Sequence, residues 1–275
     1  AAIELQHVAG TGHDRQAAGL KAGLHVLCEK PFTEDMEQAR ELIALAEESQ
    51  VLLAVCQNRR VCDDIRTVSE YLAAGEIGQV LSLHCEFRRS TGPDRHRAHM
   101  PHVMLWDMGI HHLDQSRLLA GSCPVQVYAD DWRPPDCLWQ HGPAAEVLVR
   151  FKNGVRFSYR AWFGGATIPP VNTDFQGRWS IYAERGIIHW HGENIDILTP
   201  DDRQTLEPVK RCGNSGGGRE WLVDDMLQAI DESRQPAVPA TDNIFSVGLV
   251  AAAIRSAETG RAQKITETRI EPVAR

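Results

Sequence analysis

A short apolar run that ends in a lysine and a proline, Gly23-Leu24-His25-Val26-Leu27-Cys28-Glu29-Lys30-Pro31, constrains the fold more than any other stretch of the chain. His25 to Cys28 read as a short buried strand. Residues 15–23 before it read as a helix ending at Gly23, whose freedom at positive φ suits a C-terminal cap. Beyond it, Thr33 is placed to N-cap a helix, with Glu34 and Asp35 at the positive end of its dipole. Met36, Ala39, Ile43 and Ala46 recur on one helical face through about Glu48, and Val51 to Val55 follow as a second strand. Strand, helix, strand in this order is the pattern of the second half of a doubly wound parallel sheet. Ligands of such sheets bind beyond the carboxyl ends of the strands, which is where Lys30 falls.

The bulk properties close off several function classes. With 275 residues the chain can form one large domain or two moderate ones. Its formal net charge is −8 and its basic residues are scattered, which argues against a nucleic-acid partner. No apolar run approaches the roughly 20 residues of a membrane span. Cys28, Cys56, Cys62, Cys85, Cys123, Cys137 and Cys212 are odd in number, widely spread and free of any Cys-x-x-Cys. Reduced thiols in the cytoplasm are the simpler reading than a disulfide framework or a zinc site.

The character changes after Gln57. A helix is expected from Asp63 to Ala74, stopped by Gly75, and Leu81, Leu83, Cys85 and Phe87 then alternate with polar residues as a one-sided strand does. Val147, Val149 and Phe151 alternate likewise, and Asn153-Gly154 suggests a two-residue hairpin turn. Trp179–Ala183 and Ile187–His191 form a second hairpin around Arg185-Gly186. The result is an antiparallel meander with one face covered by helices and an open face expected to carry Trp162, Trp179 and Trp190. Gly213 to Gly218 read as a flexible connector, and 219–232 and 242–258 as closing helices.

Within this second part, Asp107-Met108-Gly109-Ile110-His111-His112-Leu113-Asp114 sets 107, 111 and 114 on one helical face. A lysine at a strand end, together with an Asp/His helix, is a constellation suited to proton transfer. His96, His99 and His102 raise a metal hypothesis, but their spacing splays across a helix, and Pro93 and Pro101 argue for a polar loop beside a substrate cleft. No metal is expected.

These motifs resemble the glucose–fructose oxidoreductase/inositol dehydrogenase/rhizopine catabolism family, shortened to Gfo/Idh/MocA. The resemblance rests on Glu29-Lys30-Pro31 and Asp107-x-Gly109-x-His111-x-x-Asp114. Gln57-Asn58-Arg59-Arg60, Gly75-Glu76-Ile77-Gly78 and Arg255-Ser256-Ala257-Glu258-Thr259-Gly260 follow in the family's order. It implies the C-terminal half of a Rossmann dinucleotide-binding domain over residues 1–56. An open-faced, mainly antiparallel substrate-binding and dimerisation domain follows over 57–275. It further implies NAD or NADP as cofactor, a sugar, cyclitol or other polyhydroxylated substrate, and a homodimer or homotetramer joined through the open sheet face.

By the same resemblance Glu29, Lys30 and Pro31 lie beside the nicotinamide, the Lys30–Pro31 bond is often cis, and Lys30 hydrogen-bonds the reacting oxygen. His111 exchanges its proton, and Asp107 orients His111 or holds a neighbouring hydroxyl. The chemistry is sound on its own ground: histidine titrates near neutrality, a cation favours the growing alkoxide charge, and a carboxylate can fix an imidazole tautomer. Arg59, Trp106 and His112 are candidate substrate contacts, and Asp114 is a supporting carboxylate. No Gly-x-Gly-x-x-Gly occurs in the chain, and His7 to His13 do not form the family's usual polar turn. At about 30 residues per βαβ unit, on the order of 60 residues are expected to precede Ala1. Two alternatives remain at this point: an NAD-dependent glycosidase of the same superfamily, and a non-catalytic binding protein without its cofactor loop.

Overall fold

The computed structural model describes residues 3–6, 12–93, 95–135, 137–164, 172–209 and 218–265. In chain order these form β1 (Ile3–Gln6), α1 (Gly12–Lys21), β2 (His25–Glu29), α2 (Met36–Glu48), β3 (Leu53–Cys56), α3 (Asp63–Ala74) and β4 (Val80–Ser90). Then come α4 (Ile110–Ala120), β5 (Pro124–Trp132), β6 (Ala144–Phe151), β7 (Arg156–Gly164), β8 (Arg178–Ala183) and β9 (Gly186–His191). The chain closes with β10 (Asn194–Leu198), β11 (Arg203–Leu206), α5 (Arg219–Asp231), α6 (Ala240–Thr259) and β12 (Gln263–Lys264). Two compact units result: one gathers 1–62 with 212–248, the other 63–211 with 249–266.

In the first unit β1, β2 and β3 pair in parallel in that order. Val26, Leu27 and Cys28 in β2 and all of β3 are buried, the continuous apolar reading of strands covered on both faces. α2 buries Ala39, Leu42, Ile43 and Ala46. Its N-cap is Asp35, whose carboxylate accepts from the N–H groups of Glu37 and Gln38, rather than the expected Thr33. Thr33 acts one step earlier, its hydroxyl accepting from the Asp35 N–H. The unit is discontinuous in sequence because the segment before α6 returns to it. The Val55 N–H donates to the Val238 carbonyl, and Ala54 bridges to Pro239. A division at residue 56 does not carry that return. The His7–Thr11 part of the irregular turn and residues 213–217 of the glycine connector lie outside the described residues.

The second unit is built on a nine-stranded sheet of order β11-β10-β9-β8-β4-β7-β6-β5-β12. Its neighbours are antiparallel except for the central β4–β7 pair, which runs parallel. The Asn153-Gly154 turn is wider than expected. Phe151 and Val155 pair across Lys152, Asn153 and Gly154, with Gly154 at φ 93, so three residues make the turn. Cross-strand register also moves two tryptophans. Trp179 stands opposite Cys85 on one side and Trp190 on the other, in the row that continues to Ile195. Both are buried (0% and 1% exposed) and stack at 5.8 Å on the covered face, not the open one. Alternation decides this: Trp179 and Ile181 share a face, and that face is the core. Trp162 is half-buried on the opposite side. The open face there presents His84, Glu86, Leu148, Ser158, Arg160, Ser180 and Tyr182.

Candidate active site

Each unit by itself holds one cluster of the expected residues. In the first, the carboxyl ends of β2 and β3 bring Glu29 opposite Cys56. Glu29 Oε1 lies 3.3 Å from Nε of Arg219, the first residue of α5. Burial pushes the Cys56 thiol up to about 12; the Glu29 carboxylate adds to this and the Arg219 guanidinium opposes it. Lys30 follows at the strand end, half-buried, and the Lys30–Pro31 peptide is cis. Gln57, fully buried, closes β3 and leads into a single 3₁₀ turn, Asn58–Val61. Arg59 in that turn is half-buried, while Arg60 is ion-paired with Asp242 at the start of α6 and so serves the packing of this unit.

In the second unit, Asp107 does not lie on a regular α-helix. Met104–Gly109 form a π-helical turn that runs directly into α4. The Ile110 N–H reaches the Leu105 carbonyl, five residues back. A side chain at Gly109 would press on the Met104 carbonyl, which a wide turn with glycine avoids. Wide turns of this kind are frequent at functional sites because they re-aim side chains. Asp107 and His111 are 6% and 3% exposed, and Trp106 is buried beside them.

A buried carboxylate needs a compensating charge. Arg97, in the 3₁₀ turn Arg95–His99, places Nε 2.9 Å from Asp107 Oδ2. The guanidinium itself remains about one-third exposed. Sequence reasoning missed Arg97, since it lies ten residues upstream in a proline-bounded loop with no periodic relation to Asp107. Asp114 is fully buried and faces Arg117 at 3.5 Å, a supporting role.

His112 is a correction. Its Nδ1 is 3.0 Å from the Tyr159 hydroxyl, and its ring packs against Phe87 and Tyr159 at 5.1 Å each. One position beyond His111, it faces the covered side of the sheet and belongs to the helix–sheet core, not to a substrate cleft.

One turn after His111, Gln115 Nε2 donates to Gln176 Oε1 (2.7 Å), and Gln176 Nε2 donates to Asp64 Oδ1 (2.9 Å). Burial raises the Asp64 carboxyl to about 6 despite these bonds. This relay ties α4 to α3 through residues that carry no sequence motif. Among the described residues no group of three or more His, Cys, Asp or Glu is arranged to hold a metal ion, and the His96 side chain lies outside them. His102 instead faces Asp131 and Glu258.

Residues 3–57 match the oxidoreductase-family NAD-binding Rossmann fold, and residues 65–189 match the GFO/IDH/MocA C-terminal domain. The chain belongs to the Gfo/Idh/MocA oxidoreductase family. An uncharacterized protein from Sinorhizobium fredii is 27% identical over 90% of this chain and 72% of its own length. The 1,5-anhydro-D-fructose reductase of Ensifer adhaerens is 24% identical over 92% of this chain and 76% of the reductase. Among solved structures, the aldose-aldose oxidoreductase from Caulobacter crescentus, complexed with glycerol, superposes with a TM-score of 0.81 at 20% identity. That match covers 95% of this chain and 78% of the other, and shows the Gfo/Idh/MocA fold alone.

Proposed function

We propose that this chain carries the hydride-transfer site of an NAD(P)-dependent dehydrogenase acting on a sugar, cyclitol or related polyol. The observation that carries the reading is the pairing of motifs within one family-matched chain. Lys30 stands at the end of a parallel strand, and Asp107 with His111 is held in a buried π-to-α turn charge-balanced by Arg97. The ends of β2 and β3, with Glu29, Lys30 and Pro31, suit the nicotinamide portion of a dinucleotide. A Gly-x-Gly-x-x-Gly loop for the pyrophosphate is not among these 275 residues. When bound, the nicotinamide supplies the hydride acceptor or donor.

The chain's own residues supply the rest. In the oxidation direction the hydroxyl proton of the substrate passes to His111 while hydride leaves the carbon that bears it. Lys30 hydrogen-bonds the same oxygen and favours the negative charge growing on it. Asp107 orients the imidazole or receives a neighbouring hydroxyl, and Arg97 holds Asp107 in place. Trp106 and Arg59 are proposed to contact the polyhydroxylated substrate.

We also propose a homodimer through the open sheet face, supported by Tyr128, Leu148 and Tyr182 exposed there. A cytoplasmic setting is supported by the six free cysteines among the described residues. No helix among those residues is long and apolar enough to cross a membrane. The experiment is a panel of sugars, sugar acids and inositols incubated with NAD⁺ or NADP⁺ and the protein. Reduced nicotinamide formed with at least one polyol and abolished in His111→Ala is expected. No turnover with any of them, under conditions where the dinucleotide binds, would overturn the reading.

A further inference from the structure

The last histidine of the run noted in the sequence sits where the chain bends into the π turn. His102 has left-handed backbone (φ 49), uncommon for a residue with a side chain. Its carbonyl accepts from the N–H groups of Leu105 (2.9 Å) and Trp106 (3.1 Å), the first bonds of the turn. Its ring lies between two carboxylates from different elements: Nδ1 is 2.9 Å from Asp131 Oδ2 in β5, and Nε2 is 3.5 Å from Glu258 Oε1 in α6. Asp131 is itself nine-tenths buried. The loop ahead of β6 packs against the same carboxylate and the same turn. A side chain at Gly142 would collide with the Asp131 carboxylate, and the Gly142 carbonyl accepts from the Met104 N–H at 3.1 Å.

We propose that His102 is a positioning residue for the Asp107–His111 segment, its imidazolium clamping the start of the π turn between Asp131 and Glu258. The catalytic consequence rests on the reading of Asp107 and His111 given above, whereas the clamp stands on this geometry. An imidazolium donates through both nitrogens and a neutral ring through one, so loss of the proton breaks one of the two contacts. The hydrogen bond to Asp131 raises the pKa of His102 above its ordinary 6.5 against the opposing effect of burial, and the charges of Asp131 and Glu258 add to it. Folded His102 therefore holds its proton more tightly than the unfolded chain does. The stabilisation is full below 6.5 and is lost as pH rises through the higher folded value.

The test uses the full chain, with ring NMR titration of His102, hydrogen exchange of residues 103–109, and steady-state kinetics on whichever polyol is turned over. His102→Asn keeps a residue tolerant of the left-handed backbone, and Glu258→Gln removes one carboxylate from an exposed position. The proposal expects His102 to titrate above 6.5 in the wild type and lower in Glu258→Gln. Exchange protection of 103–109 should fall about three- to tenfold as the pH passes that titration, and stay low and pH-independent in His102→Asn. The kcat should follow the same midpoint while KM moves little. A His102 that titrates at or below 6.5, protection indifferent to pH in the wild type, or a kcat untouched by His102→Asn would each overturn it. If exchange behaves as expected and no polyol is oxidised, the clamp stands and the hydride-transfer reading fails, so the two are separable.

Discussion

The lysine end of β2 and the π turn ahead of α4 carry the two halves of the same proposed chemistry, and they are built in opposite ways. Lys30 is half-buried at the rim of a parallel sheet, on a backbone set by a buried strand before it and a proline after it. Asp107 and His111 are almost wholly buried and depend on side chains from elsewhere in the sequence. Arg97 compensates Asp107, the Gln115–Gln176–Asp64 relay ties down the next turn, and His102 holds the turn's beginning between two carboxylates. A half-buried group at a strand end keeps part of its hydration, whereas a charge placed deep inside a unit needs a compensating partner. The first kind of site fails when its reactive group is removed. The second fails also when a distant support is removed.

The largest effects test the reactive groups. His111→Ala and Lys30→Ala are each expected to lower kcat by about 10²- to 10⁴-fold, with Lys30→Ala leaving the thermal midpoint nearly unchanged. Steady-state rates beside melting curves check this, and near-normal turnover in either variant breaks the comparison at its root. Next comes the support. Arg97→Ala removes an ion-pair partner of a buried carboxylate and is expected to cost about 1–3 kcal/mol of stability, together with a loss in kcat/KM. No comparable loss of stability is expected from Lys30→Ala. Equal costs at the two positions, measured by denaturant unfolding, would erase the distinction drawn above.

A smaller effect concerns Asp64. Its folded carboxyl, raised from 3.8 to about 6 by burial, binds a proton that the unfolded chain has already released between those values. Its contribution to stability is thus present below about 3.8 and lost as pH rises through about 6. Asp64→Asn, which keeps an acceptor for Gln176, should flatten that part of the stability–pH curve and raise stability at neutral pH. A curve identical to the wild type would remove Asp64 from the set of buried supports. The smallest effect is chemical. Exposed Cys123 should be alkylated well before Cys28, Cys56 and Cys85, whose thiols burial pushes up. Early modification of Cys56 would mean that the ends of β2 and β3 open more readily than their burial indicates.

The same contrast governs what could be read from the sequence. The Lys30 region was legible because local signals agree: an apolar strand, a helical stripe and a second strand. The one-sided strands and the Asp63–Ala74 helix were legible for the same reason. The Asp107 region was legible as a motif and not as a structure. Helical spacing implies a regular α-helix through 107, 111 and 114, yet Gly109 permits a π turn that changes the phase between Asp107 and His111. His112 was misplaced because adjacency to His111 says nothing of which layer it faces. Trp179 and Trp190 were misplaced for want of strand register, since a single residue's shift exchanges the two faces of a sheet. Arg97, Asp64, Gln176 and Asp131 were invisible because their relation to the site is made only by tertiary folding.

The central claim is that Lys30 and His111, so differently supported, serve one chemical step. A double-substitution cycle on the polyol dehydrogenase reaction tests it most directly, comparing kcat/KM for the wild type, Lys30→Ala, His111→Ala and the pair. Groups that act as a unit give strongly non-additive losses, so the double variant should be about as slow as the slower single variant. If the two losses multiplied, the residues would act in separate steps and the account would be contradicted.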